Sequence, residues 1–196
     1  MARSRRLSVM SSLLCAAAGS PSAAVEAAEP PAEVIRYEVL LPTSSYHAGA
    51  ARTVVAAPLP VTHSLVTDYA HYSSFIKAFE TSKIVGRNGE ATDVYLRVKI
   101  LKGAAKIWAI VRFNPAKLDG ATETVSAQMV KGNVKRLDAI WHLTPVDDEH
   151  TRLTLELLII PDLPVPEALV VPEVRDAAAT AVRGVRDESA RRAVQK

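Results

Sequence analysis

Apolar and polar positions alternate most regularly between Leu137 and Ile160. Leu137, Ala139, Trp141 and Leu143 share one side of the pattern, and Arg136, Asp138, Ile140 and His142 the other. Leu153, Leu155, Leu157 and Ile159 then oppose Arg152, Thr154, Glu156 and Leu158. Successive side chains of a strand point to opposite faces, so a period of two held over eight residues predicts two strands with one buried face. The polar, acidic run Pro145 to His150 between them predicts a hairpin loop. Upstream, Val94, Leu96, Val98 and Ile100 oppose Asp93, Tyr95, Arg97 and Lys99. Ile107, Ala109, Val111 and Phe113, and then Val125, Ala127 and Met129, continue the inward set. Turn residues punctuate the series at Asn88-Gly89, Gly103, Asn114-Pro115 with Asp119-Gly120, and Gly132-Asn133, as in an antiparallel meander. Shorter strands are expected over Val34 to Leu41, Ala51 to Ala57 and Thr81 to Gly86.

The period becomes helical in two places. From Pro60, which suits a first helical position, Val61, Leu65, Val66 and Tyr69 share a face. A second short helix over about Ala70 to Ala78 gathers Tyr72, Phe75 and Ile76. At the C-terminal end, Pro172 is expected in the first turn of a long helix whose stripe is Val174, Ala178, Ala181, Val182 and Val185. Small residues at Ala177, Ala178 and Ala181 suit close approach to a curved sheet. The order of strand, strand, two short helices, about six strands and one long helix predicts an α+β fold, with helices on one face of an antiparallel sheet.

The first residues follow a different pattern. Arg3, Arg5 and Arg6 precede an apolar or small run from Leu7 to Gly19 and a small-residue stretch from Ser20 to Ala27. That layout predicts a secretory signal over 1–27, cleaved after Ala24 or Ala27. Its apolar run is shorter than the roughly 20 residues that span a bilayer. Ser4-Arg5-Arg6 also fits twin-arginine export, and the destination expected is the periplasm. Residues 28–48 then read as a linker with an additional strand, and 49–196 as one domain.

The charge balance changes with that cut. Of 24 basic and 21 acidic residues, the signal holds three Arg and Glu26, leaving 21 against 20. A nearly neutral domain argues against a nucleic-acid partner. Cys15 is the single cysteine, so thiol catalysis and disulfides are not expected after cleavage. The histidines at 47, 63, 71, 142 and 150 do not pair at metal-binding helical spacing, and no phosphate loop, dinucleotide fingerprint or Gly-x-Ser-x-Gly elbow occurs. Neither a metal nor a cofactor is expected.

Particular residues carry a family resemblance. These are Val54-Val55-Ala56-Ala57-Pro58, the run Asp68 to Ile76, Gly132 with Trp141-His142-Leu143-Thr144-Pro145, and Thr151 to Leu155. Together they resemble the START-like, or SRPBCC, superfamily, closest to its polyketide cyclase/dehydrase and coenzyme Q-binding families. Lys77 departs from the proline that many relatives carry after the Phe-Ile pair. The resemblance implies a helix-grip fold: a curved antiparallel sheet around a long C-terminal helix, with two short helices after the first core strand. It also implies a deep apolar cavity between sheet and helix.

The expected lining is Phe75, Leu96, Val98, Ala109, Val111 and Ala127, with Met129, Trp141, Leu155, Leu157 and Val182. Such a cavity takes a flat or chain-like apolar ligand, such as a lipid, quinone or polyketide-type compound. Carriage without covalent chemistry is the leading reading. A cyclase/dehydrase-like enzyme is the alternative, with Asp68, Tyr69 and Tyr72 as candidate acid-base groups because the inward strand positions hold none. A third reading is an interaction protein with a filled core. Trp108 and Ile110 fall on the outward face with Lys106 and Arg112, where the extra strand is expected to cover them; left bare, they would form a weak protein or membrane-surface contact. The apolar run Glu167 to Val171, between Pro166 and Pro172, is read as a gate or lid at the helix entrance.

Overall fold

The computed structural model describes residues 32–40, 44, 46–100 and 105–194. The expected signal over 1–27 with Cys15, the Pro30-Pro31 linker and the turn at Gly103 lie outside them. Residues from Ala32 onward form a single unit.

Nine strands form one curved, unclosed antiparallel sheet. They are β1 (Ile35–Leu40), β2 (His47–Val55), β3 (Phe79–Asn88), β4 (Ala91–Ile100), β5 (Ala105–Phe113), β6 (Lys117–Asp119), β7 (Thr122–Gly132), β8 (Arg136–Pro145) and β9 (Thr151–Ile160). The spatial order is β1-β2-β9-β8-β7-β5-β4-β3, with β6 paired to β7. Between β2 and β3 stand α1 (Leu59–Val66), a 3-10 turn (Tyr69–His71) and α2 (Tyr72–Phe75). The long α3 (Glu167–Val194) crosses the concave face, which gives the α+β helix-grip arrangement.

The alternation translates directly into faces. Val94, Val111, Val125, Ala127, Trp141, Leu143, Leu153 and Leu155 are buried in one core with Ala178, Ala181, Val182 and Val185 of α3. The β8–β9 register pairs Trp141 with Leu155 and Leu143 with Leu153, so the two apolar rows are cross-strand neighbours. Asn88-Gly89 makes the β3–β4 turn, with Gly89 at φ 59°, a left-handed conformation that glycine adopts without steric cost.

Several expectations need correction. The second short helix is a 3-10 turn followed by a single α-turn and does not run on to Ala78: Ile76 is already extended. β2 runs from His47 to Val55 rather than from Ala51 to Ala57, because pairing with β1 carries it upstream. The Asn114–Gly120 loop contains the three-residue β6. α3 starts at Glu167 rather than near Pro172, so the supposed lid is its first turn, with Val170 and Val171 buried. Glu167 Oε1 accepts hydrogen bonds from the His47 backbone N–H (2.7 Å) and pairs with His47 Nδ1 (2.8 Å), tying that turn to β2. β1 does not cover Trp108. It pairs with β2, five strands from β5, about 24 Å away at usual strand spacing. Trp108 instead stacks on Tyr95 of the adjacent strand, ring centroids 6.3 Å apart.

β1 extends the sheet and clips α3. Arg36 pairs with Asp176 (2.7 Å) and Arg175 with Glu38 (3.2 Å). Helix and sheet approach closely at Gly49, where an added Cβ would lie 2.3 Å from the Arg175 backbone N and 2.6 Å from its Cα. Both neighbours are main chain, so neither can rotate away. Gly49→Ala is expected to cost about 3 kcal/mol, a fall of roughly 6–12 °C in Tm. Gly86→Ala, whose nearest neighbour would be 3.8 Å away, should show no loss in the same thermal melts.

Candidate functional site: an apolar cavity under the long helix

Between the concave face and α3 lies a cavity of about 90 Å³ lined by 17 residues. β4 contributes Leu96 and Val98, and β5 contributes Ile107, Ala109, Val111 and Phe113. From β8 come Leu137, Ala139 and Trp141, and from β9 Leu155, Leu157 and Ile159. Ala177 and Ala181 form the helix side, and Tyr72, Ala78 and Phe79 close one flank. The alanines follow from helical geometry: residues four apart lie on one face, and with single methyls that face leaves space above the sheet.

Seven of the eleven expected lining residues are on this wall: Leu96, Val98, Ala109, Val111, Trp141, Leu155 and Leu157. Phe75, Ala127, Met129 and Val182 are not. Phe75 is half-buried against Tyr72, edge to face at 5.8 Å. Ala127 pairs with Phe113 and Ala139, and its single methyl is enclosed between them. Met129 sits at the β-bulge opposite Ile110 and Val111, where its sulfur lies over Gly132. Val182 is wholly buried, about 100° round the helix from Ala181. Ile107, Phe113, Leu137, Ala139 and Ile159 belong to the same alternating rows and were legible as inward positions. Phe79 and Ala78 carry no periodic signal, because α2 ends and β3 begins there.

The three candidate acid-base residues separate. Asp68 does not line the cavity: its carboxylate bonds to His71 Nδ1 (2.5 Å) and Arg192 (3.1 Å). Tyr69 stacks on Phe113 at 4.2 Å in the closed end of the core. Burial first and Glu123 second push its phenol up to about 12. Tyr72 does line the cavity, yet its hydroxyl donates to the Val66 carbonyl. Burial, then Tyr69 and Asp68, hold its pKa well above the ordinary 10. At neutral pH it is a protonated phenol whose proton is engaged by the Val66 carbonyl.

Charges gather outside the wall. Glu188, buried on α3, takes hydrogen bonds from Arg191 (2.7 Å) and Arg192 (2.7 Å), and Arg192 carries the network to Asp68. His142 points to the outer face, 3.7 Å from Glu156, as its alternation with Trp141 requires. Among the described residues no group of three His, Cys, Asp or Glu is placed to hold a metal ion. No helix among them is long and apolar enough to cross a membrane.

Residues 55–186 match the family described as polyketide cyclase / dehydrase and lipid transport. The chain belongs to this family. Its fold is shared with solved structures of START-type proteins. A STAR-related lipid transfer protein from Xanthomonas axonopodis superposes with a TM-score of 0.67 at 14% identity, covering 80% of this chain and 93% of that one. A START superfamily protein from Mycobacterium smegmatis gives 0.64 at 16% identity, over 72% and 96%. The Zhui aromatase/cyclase from a Streptomyces species gives 0.62 at 16% identity, over 82% and 96%. No curated protein matches the chain. At these identities the likeness establishes the fold, and the family's scope is hydrophobic-ligand binding or cyclase/dehydrase chemistry.

Two substitutions test the polar groups around the wall. Tyr72→Phe leaves the Val66 carbonyl without its donor and should cost about 1–3 kcal/mol, read from denaturant midpoints. Glu188 has a folded-state pKa below its ordinary 4.5, set first by the Arg191 hydrogen bond and then by Arg192, against burial. Its contribution is therefore present above pH 4.5 and lost as pH falls through the lowered value. Glu188→Gln should lower Tm by roughly 3–8 °C at pH 7, with the gap to wild type closing as pH falls below 4.5 through the lowered value.

Proposed function

We propose that this protein is an exported, non-catalytic carrier that holds a neutral hydrophobic small molecule between its sheet and α3. The observation that carries this reading is the wall itself: 17 residues, none charged, with the Tyr72 hydroxyl committed to Val66. Removing apolar ligand surface from water supplies roughly 25 cal/mol per Å². A wall of carbon adds little else. Cyclase chemistry in the same cavity would need a positioned proton donor or acceptor, and Asp68 and Tyr69 do not line it. The open space also speaks against a filled core. Pockets for drug-sized ligands measure roughly 300–1,000 Å³, so a lipid-sized guest requires α3 or the cavity rim to move outward from its present position. The basic, apolar and small-residue order of residues 1–27 supports export to the periplasm.

Native mass spectrometry of the protein from its own envelope fraction tests both parts. The expected result is a chain shortened after Ala24 or Ala27 that carries one apolar molecule. Ala181→Leu, which fills the helix side of the cavity, should abolish retention while the thermal melt stays cooperative. A full-length chain in the cytosolic fraction would overturn export. Failure of both the native extract and a panel of fluorescent lipids and quinones to yield a bound molecule would overturn carriage.

A further inference from the structure

Among the described residues of the wall, only Tyr72 and Trp141 have a side chain with a polar atom. The Tyr72 hydroxyl is satisfied by Val66. Trp141 is 3% exposed, and its indole N–H makes no hydrogen bond to any described residue. The fully enclosed polar atoms without a partner are Thr62 Oγ1, Arg175 Nε and Ser189 Oγ. The indole nitrogen is not among them, so it keeps contact with open space. For a side chain on the concave wall, that space is the cavity.

From this geometry we infer that Trp141 is the specificity-determining residue of the cavity, its indole N–H donating to a carbonyl or similar neutral acceptor oxygen on the buried end of the ligand. The inference rests on the carrier reading and narrows it. Indole is a donor only, so it selects an acceptor. A bound hydrocarbon end leaves the N–H unmet in an apolar surround, which weakens its binding. A carboxylate end would satisfy it but would bring a charge against a wall with no cation, at far greater cost. A lone water is poorly held there, since buried waters typically make about three hydrogen bonds and the wall has no other free donor. The class that fits is a neutral, largely apolar molecule that enters carbonyl first: a quinone, an aromatic ketone or a fused-ring ketone. A fatty chain entering methyl first does not fit.

The cross-strand position makes Trp141 a stable reporter. It pairs with Val125 on β7 and Leu155 on β9, in the middle of the sheet. The chain has two tryptophans, so the ¹⁵N-labelled full-length protein gives two indole N–H signals, separable by Trp141→Phe. The probes are α-tetralone and tetralin, which share a bicyclic skeleton and differ by one carbonyl. α-Tetralone should move the Trp141 indole proton downfield, and tetralin should not. Trp141→Phe should weaken α-tetralone about tenfold and leave tetralin within about twofold, a comparison that cancels the probes' different solvation in water. If both probes bind but the substitution weakens them equally, or the indole proton is indifferent to the carbonyl, the inference falls and carriage stands. If neither probe binds, the inference falls, and carriage is decided by the native extract and the lipid and quinone panel. If Trp141→Phe fails to fold, Trp108→Phe assigns the two signals and the wild-type spectrum decides the matter.

Discussion

The position of α3 is set where its backbone meets other backbone. At Gly49 the helix lies against β2 so closely that no side chain fits between them. At Gly184 it lies against the end of α2, where an added Cβ would come within 2.9 Å of the Phe75 carbonyl oxygen and the Ile76 Cγ1. Two such contacts fix both the height and the tilt of a rigid rod over a curved surface. The cavity is what remains. Ala177 and Ala181, on the stretch between the two contacts, are too short to reach β4, β5 and β8, and the core opens beneath them.

That arrangement separates the energetics of folding from those of binding. Around the cavity, stability comes from large side chains locked together: Tyr69 on Phe113, Tyr72 against Phe75 and Phe79, and Leu143 beside Leu153. Apart from the buried Glu188, ionic groups such as the following lie at the periphery, where water reduces their desolvation cost. Glu80 takes Arg97 (2.9 Å), Lys106 (2.9 Å) and Lys99 (3.4 Å) on the outer face, which lowers its pKa chiefly through Lys106. Asp93 and Arg112 form a two-pronged pair beside it. His63 on α1 reaches Glu123 at the start of β7, closing the narrow end of the core. Among the described residues no carboxylate lines the wall.

The same separation accounts for the fate of the candidate acid-base residues. Asp68 carries its charge into a network with His71 and Arg192 that ties the helix pair to the far end of α3. Tyr72 is the hinge between the two regimes, with its ring on the cavity and its hydroxyl on the Val66 carbonyl. The wall is thus apolar apart from the Trp141 indole and the engaged Tyr72 hydroxyl.

Local pattern alone determined much of the molecule. The alternation at Leu137–Leu143 and Leu153–Ile159 specified strands, faces and the direction in which Trp141 and His142 point, because a strand has only two faces. Asn88-Gly89 marked a turn that needs a left-handed residue, and the Val174–Val185 stripe marked the buried side of α3. The first turn of α3 was not legible, since Pro172 reads as a start, and only the burial of Val170 and Val171 against the fold extends the helix back to Glu167. Strand order was also hidden: nothing local places β1 beside β2 and far from Trp108. Whether an inward residue lines space or fills it depended on what faces it. Ala127 and Ala109 look alike in sequence, yet one is capped by its neighbours and the other opens onto the cavity. Periodicity assigns a side chain to a face. Only the height at which Gly49 and Gly184 hold α3 decides which parts of that face remain uncovered, because that distance is set by contacts between residues more than a hundred positions apart.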